Sequence, residues 1–166
     1  AVVWTEPVGY VPGSVTVDAR RNRVYVGNRT GNSVTVIDGV TNRAIRTIAM
    51  SQEPWALAWN ETQSQVYCAA SAANNVGVID TLHNVVRYIG VGVQPRSLVW
   101  AGHVNKLYVA NSGSIPGTVS LVDCVTNSVT KTLVVGGRPA AILWNPLSNR
   151  IYVANQDAGT VSVVGH

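Results

Sequence analysis

The sequence predicts an all-β fold made of four similar units within one domain, residues 1–166. Of its 166 residues, 46% are hydrophobic and 12% are charged, so the chain can bury a core. Valine occurs 31 times and phenylalanine not at all, and this excess of a β-branched residue favours strands over helices. Apolar runs stay short of the roughly 18 residues that a membrane helix needs, so insertion into a membrane is not expected.

A repeat runs through the whole chain. Tyrosine recurs at spacings of 42, 41 and 44 residues, each time 13 residues after a proline. The pairs are Pro12 and Tyr25, Pro54 and Tyr67, Pro95 and Tyr108, and Pro139 and Tyr152. Aspartate follows the first two tyrosines after 13 residues, at Asp38 and Asp80, and the third after 15, at Asp123. A fixed period of this length is typical of repeat architectures.

Each unit contains four short apolar runs, which predict four strands, called a to d from the inside outward. In the second unit the runs cover about 55–59, 65–69, 75–79 and 85–89. The turn between strands c and d begins with Asp and ends with Asn, because Asp accepts hydrogen bonds from nearby amides and Asn tolerates a left-handed backbone. Four-stranded antiparallel units of this length predict a β-propeller. Its blades are expected at about 12–50, 51–92, 93–137 and 138–164.

The motif Tyr-Val-Ala-Asn, followed by Val-Ser-Val-Val or Val-Ile-Asp, then Thr-Asn and Gly-x-x-Pro, resembles the YVTN family of β-propeller repeats. The resemblance covers essentially the whole chain, although the second unit departs from it with Cys68, Ala69 and Ala70. It implies a propeller that is secreted, periplasmic or attached to the cell surface. Relatives range from surface-layer proteins to cofactor-carrying propellers, so the resemblance does not choose a function.

Residues 2–6 are predicted to close the ring as strand d of the last blade. They begin ten residues before Pro12, the spacing that also separates Ala44 from Pro54 and Val129 from Pro139. The expected result is a four-bladed ring within one chain. The alternative is an eight-bladed ring built by two chains as a homodimer, because the same strand exchange can occur between copies.

The formal net charge of +4 raises the question of a nucleic-acid partner. Arg46, Arg87 and Lys131 hold equivalent places on strand d, however, where cationic side chains oppose aggregation between sheet edges. No run of stacking aromatic residues accompanies the charges, so nucleic acid is not expected as a partner. Cys68 takes a place held by valine in the other units and is expected to be a small buried hydrophobe.

Candidate binding residues lie on the loops that converge at one end of the propeller axis. The position after the repeated proline varies between the units and is held by Gly13, Trp55, Arg96 and Ala140. Trp55 beside Arg96 would offer a flat apolar surface next to a forked hydrogen-bond donor. The loops between strands b and c add Arg29 and Asp157. Trp55, Arg96, Arg29 and Asp157 are therefore the predicted contacts for a protein, peptide or small ligand.

Familiar catalytic arrangements do not occur in the sequence. His83 and His103 lie in predicted turns of different blades, without Cys or Glu at metal-ligand spacing. The sequence contains neither a phosphate-binding loop nor a nucleophile elbow. The prediction is a non-catalytic binding or assembly module without metal or cofactor. The alternatives are a structural subunit of a surface layer or extracellular fibre and, less favoured, a cofactor-carrying or hydrolytic propeller.

Overall fold

The computed structural model describes residues 1–165, and 57% of the chain lies in strands. Blade 1 contains β1 (Pro12–Asp18), β2 (Arg23–Asn28), β3 (Ser33–Asp38) and β4 (Arg43–Ala49). Blade 2 contains β5 (Pro54–Asn60), β6 (Gln65–Ala70), β7 (Asn75–Asp80) and β8 (Val86–Gly90). Blade 3 contains β9 (Pro95–Ala101), β10 (Lys106–Asn111), β11 (Thr118–Asp123) and β12 (Ser128–Val134). Blade 4 contains β13 (Pro139–Asn145), β14 (Arg150–Asn155) and β15 (Thr160–Val164).

Every blade is an antiparallel sheet whose strands follow one another in chain order. One turn of 3-10 helix, Ser71–Ala73, precedes β7. The first strands of consecutive blades pack together, β1 on β5, β5 on β9 and β9 on β13, so they form the inner side of the molecule. The predicted all-β propeller with four antiparallel blades is confirmed. In the described part of the chain, no helix has the length and apolar character needed to cross a membrane.

The turns between strands c and d have the predicted chemistry. In blade 1, Asp38 Oδ1 accepts hydrogen bonds from the backbone amides of Val40 at 3.0 Å and Thr41 at 2.9 Å. Asn42 closes this turn with a left-handed φ of 57°. Asp80 and Asp123 accept the equivalent amide bonds in blades 2 and 3. The turns are therefore specified by residues within five positions of one another.

Apolar side chains fill the space between consecutive blades. Blade 1 contributes Tyr25, Val34, Val36 and Ile48 to the first interface, and blade 2 contributes Val66, Cys68 and Ile79. Equivalent residues form the second and third interfaces. The expected burial of Cys68 is confirmed, and this burial raises the pKa of its thiol well above the ordinary value.

The predicted strand at residues 2–6 does not form. Residues 1–8 lie outside any strand, and the sheet of blade 4 contains β13, β14 and β15. Glu6 Oε1 instead accepts a hydrogen bond from the backbone amide of Ala44 in blade 1, at 2.8 Å, and Trp4 stacks on Arg43.

The separation of blade 4 from blade 1 explains why residues 2–6 do not form the predicted strand. Within residues 1–165, nothing comparable to the packing of β9 on β13 joins β13 to β1. The four blades therefore form an arc whose ends stay apart. In blade 4, β15 pairs with β14, and residues 2–6 lie instead against blade 1.

The aspartate turns predict how stability depends on pH. Hydrogen bonds from the amides of Thr41 and Val40 hold the pKa of Asp38 below its ordinary value. A hydrogen bond from Lys106 is the largest of the causes that lower the pKa of Asp123. Because these folded-state pKa values are depressed, the stabilisation is complete above the unfolded pKa of about 4 and is lost as the pH falls below it.

We therefore expect Asp123→Asn to lower the free energy of unfolding at pH 7 and to reduce the loss of stability between pH 7 and pH 3. Asparagine can still accept the turn hydrogen bonds, but it carries no charge. Urea unfolding at both pH values measures the effect, with Glu61→Gln on an exposed turn as the control. An Asp123→Asn variant as acid-sensitive as the original chain would contradict this expectation.

Candidate functional site

The residue after each repeated proline is a β-bulge on the innermost strand. In blade 2, Pro54 pairs with Ala70 and Ala56 pairs with Ala69, which leaves Trp55 without a partner across the ladder. The same irregularity leaves out Gly13, Arg96 and Ala140 in the other blades. A bulge frees a side chain from the alternation of the sheet and re-aims it, and bulges are frequent beside functional sites.

The residue before each repeated proline has a left-handed backbone. Glu53, for example, has a φ of 40°, and Val11 has a φ of 51°. Its carbonyl oxygen accepts a hydrogen bond from the first residue of the loop between strands b and c of the same blade. The Arg29 amide donates to Val11 at 3.0 Å, and the Ser71 amide donates to Glu53 at 3.1 Å. In each blade, these bonds join the loop that ends at the repeated proline to the loop between strands b and c. The surface that these loops form together is called the loop face below.

Trp55 lies against two guanidinium groups on the loop face. The Cζ atom of Arg29 is 3.7 Å from the centre of the Trp55 ring, and the Cζ atom of Arg96 is 4.7 Å from it. Arg29 comes from blade 1, Trp55 from blade 2 and Arg96 from blade 3, so three blades meet here. Each cation–π contact contributes about 0.5–1 kcal/mol where the groups are partly exposed. The structure thus brings three of the four predicted residues together, and we call them the Arg-Trp-Arg cluster.

Gly13 makes room for Arg29. A Cβ atom at Gly13 would lie 2.5 Å from Arg29 Nε, well inside van der Waals contact. Any larger residue at position 13 would therefore push the Arg29 side chain away from Trp55. Glu53, which the sequence reasoning missed, also orients the ring, since Trp55 Nε1 donates to Glu53 Oε2 at 3.3 Å. Nothing in the position of Glu53, two residues before Trp55, indicates from the sequence that its carboxylate contacts the indole.

The two arginines of the cluster have no acidic partner among the described residues. Arg21 and Arg138, by contrast, pair with Asp18 and Asp157. Arg29 and Arg96 are both half-buried, and within residues 1–165 the Nε atom of each is buried without a hydrogen-bond partner. Two neighbouring positive charges without an acidic partner repel each other, and an anion beside the two guanidinium groups would remove part of this cost.

Asp157 lies apart from the cluster. Its carboxylate is 3.7 Å from Arg138 Nη1, and its backbone amide donates to Gly137. Both partners belong to the loop that leads into blade 4. The structure therefore does not join Asp157 to Trp55, and a part for it in binding stays a prediction. Over the described residues, His, Cys, Asp and Glu side chains form no group of three or more that could hold a metal ion.

Comparison with known proteins shows the fold. Neither a protein-family model nor a curated protein sequence matches the chain. The chain is similar to "Kuenenia stuttgartiensis Hydrazine Synthase", with a TM-score of 0.88 and 18% identity over 97% of this chain and 47% of that one. It is also similar to a functionally unknown protein from Desulfotomaculum acetoxidans DSM 771, with a TM-score of 0.73 and 18% identity over 93% of this chain and 56% of that one. The chain spans about half the length of these two proteins.

The prediction that the protein is not an enzyme is corrected by the first of these matches. Hydrazine synthase is an enzyme, and its fold extends over nearly the whole of the present chain. The prediction rested on the absence of familiar motifs, but a propeller can build a reactive site from loops of several blades that share no local motif. At 18% identity, the likeness is one of fold and assigns no activity.

Proposed function

We propose that the protein is a binding module whose loop face holds an anionic group at the Arg-Trp-Arg cluster. One observation carries the proposal: two half-buried guanidinium groups lie over the same indole ring, and neither has an acidic partner among the described residues. A guanidinium group presents a planar fork of donors that matches the oxygens of a carboxylate or phosphate. The Trp55 ring, covered by Arg29 at 3.7 Å and by Arg96 at 4.7 Å, holds the two guanidinium groups on the loop face.

The shape of the site favours a ligand that reaches across blades. Arg29 and Arg96 come from blades on either side of the one that holds Trp55. An acidic side chain of a protein or peptide partner, or the acid group of a small ligand, offers the required oxygens. Membership of the YVTN family and a location outside the cytoplasm belong to the same proposal, and the Tyr-Val-x-Asn motif of three blades supports them.

Calorimetric titration with citrate, a small polycarboxylate, tests the proposal. We expect citrate to bind and Arg29→Ala to weaken its binding at least tenfold, because a charge-assisted hydrogen bond is lost. Arg46→Ala is the matched control, since Arg46 is exposed on the outer strand β4. The affinity should also fall as the salt concentration rises. Absence of binding, or equal affinities for the Arg29 and Arg46 variants, would overturn the proposal.

A further inference from the structure

An acid lies beside the two arginines of the cluster. Glu53 Oε2 accepts a hydrogen bond from Trp55 Nε1 at 3.3 Å. The carboxylate therefore lies at the edge of the ring that Arg29 and Arg96 contact. Within residues 1–165, Glu53 forms no ion pair, and its Oε1 atom has no hydrogen-bond partner. Since Glu53 is also exposed, its carboxylate can still accept a hydrogen bond from a ligand.

The backbone holds Glu53 in a fixed position on the loop face. Its amide donates to Asn32 Oδ1 at 2.9 Å, and its carbonyl oxygen accepts a hydrogen bond from the Ser71 amide at 3.1 Å. Blade 3 holds Gln94 in the same way, with its amide donating to Asn74 Oδ1 at 2.9 Å. Both residues have a left-handed backbone, with φ angles of 40° for Glu53 and 50° for Gln94. Because the same arrangement accepts a neutral side chain in blade 3, the fold does not require an acid at position 53.

A groove between blades 1 and 2 adjoins the Arg-Trp-Arg cluster. It has a volume of about 300 Å³ and is lined by Thr30, Asn32, Gln52, Glu53 and Ala72. Thr30 follows Arg29 in the chain, and Glu53 contacts Trp55, so the groove begins next to the cluster. A ligand that reaches from the arginines into this groove meets a carboxylate next to hydroxyl and amide groups. The volume suits a small ligand or the end of a peptide.

We propose that this site binds a ligand with two carboxylates and one ammonium group, the chemistry of an acidic amino acid such as glutamate or of the acidic amino terminus of a peptide. The inference rests on the proposed function, because the two carboxylates occupy the guanidinium groups of Arg29 and Arg96. The ammonium group donates to the carboxylate of Glu53. Two positive charges and one negative charge in the site thus meet two negative charges and one positive charge in the ligand.

Glu53 makes the site selective among anions. A ligand that carries only carboxylates gains the two arginines but places a like charge near Glu53, which lowers its affinity. A ligand that also carries an ammonium group gains a charge-assisted hydrogen bond at the same place. The one carboxylate therefore attracts the zwitterionic ligand and repels the simple diacid, and specificity commonly combines these two effects.

Calorimetric titration with glutamate and with glutarate, which lacks only the ammonium group, tests the selectivity. We expect the original chain to bind glutamate at least about fivefold more tightly than glutarate. Glu53→Gln should weaken the binding of glutamate and tighten that of glutarate, whereas a mere loss of negative charge would tighten both. The variant should fold normally, because Gln94 holds the equivalent place in blade 3. Glu61→Gln, the same charge change on an exposed turn of blade 2, is the matched control and should leave both affinities unchanged.

The outcomes separate this inference from the proposed function. If citrate, glutarate and glutamate all fail to bind, the anion site itself is wrong. If citrate binds but glutamate and glutarate have equal affinities, or if Glu53→Gln tightens the binding of both, the anion site stands and the part assigned to Glu53 is overturned.

A peptide distinguishes the two sources of the ligand. The peptide Glu-Glu-Ala with an amidated carboxyl end carries two carboxylates and a free amino terminus. Binding tighter than that of glutamate identifies the amino terminus of a peptide as the ligand, and weaker binding identifies the free amino acid. Acetylation of the peptide amine should weaken its binding in either case, because the group that meets Glu53 is lost. An acetylated peptide that binds as tightly as the free one would contradict the inference.

Discussion

Ala70→Asn is expected to destabilise the protein by about 3 kcal/mol, and adding Ser51→Gly is expected to recover about half of that loss. Position 70 ends strand b of blade 2, and the other three blades have asparagine there. In blade 1, Asn28 Nδ2 donates to Ser33 Oγ at 3.1 Å and to Thr35 Oγ1 at 2.9 Å. This buried asparagine holds strands b and c together at the end where the loop between them begins.

The asparagine needs a glycine beside it. A Cβ atom at Gly9 would lie 2.6 Å from Cγ of Asn28, and the same distance applies to Gly92 with Asn111 and to Gly136 with Asn155. Blade 2 has Ser51 in place of this glycine and Ala70 in place of the asparagine, so the two positions differ together. An asparagine at position 70 would therefore collide with Ser51, at a cost of about 1–3 kcal/mol for overpacking.

Hydrogen bonding limits the rescue. The residues of blade 2 equivalent to Ser33 and Thr35 are Asn75 and Gly77, and glycine has no hydroxyl group to accept a bond. Part of the new amide would remain unsatisfied, at about 1–3 kcal/mol, even after Ser51→Gly has removed the collision. Urea unfolding of both single variants and the double variant measures the coupling. Additive effects would show that positions 51 and 70 do not interact and would contradict this explanation.

Replacing both Trp55 and Arg96 with alanine should abolish citrate binding, while the free energy of unfolding falls by about 1–2 kcal/mol through loss of the two cation–π contacts on the Trp55 ring. Both residues are half-buried, and both are bulge residues outside the strand ladder. Neither substitution removes a ladder pair, so the effect should be confined to the loop face. Calorimetry with citrate and thermal unfolding measure the two quantities on the same sample.

Trp100→Ala is the matched control for this variant. Trp100 packs against the core between blades 2 and 3, and its indole donates to Asn105 Oδ1 at 3.1 Å. Its loss should cost about 3 kcal/mol of stability without touching the cluster. If the Trp55 and Arg96 double variant still binds citrate, the cluster is not the site. If it unfolds like the Trp100 variant, the cluster is part of the core.

Local chemistry explains why the blades were predictable from the sequence. The turns depend on residues such as Asp38 and Asn42, which lie within one segment, so their spacing in the chain reveals the strands. Whether the four blades close into a ring within one chain was not predictable. Ring closure depends on the angle between neighbouring blades, and many interface side chains set this angle together. Residues 2–6 have the spacing of a strand d, yet they lie against blade 1 and do not join the sheet of blade 4.

The candidate site was predictable only in part, for a similar reason. Trp55 and Arg96 could be chosen because the position after the repeated proline differs between the blades, whereas the positions around it repeat. The contact of Arg29 with Trp55 depends on the open space at Gly13, and no spacing in the sequence shows that space. Asp157 was grouped with them because its loop lies at the same end of its blade, but it pairs with the nearby Arg138.

The most direct test of binding at the Arg-Trp-Arg cluster is to record the arginine Nε–H signals by nitrogen-15 NMR during a titration with citrate. The account predicts that the signals of Arg29 and Arg96 shift together and saturate, because both guanidinium groups meet the same anion. The signals of Arg46 and Arg150, which lie away from the cluster, should stay in place. Unchanged signals from Arg29 and Arg96, or equal shifts from all four arginines, would contradict it.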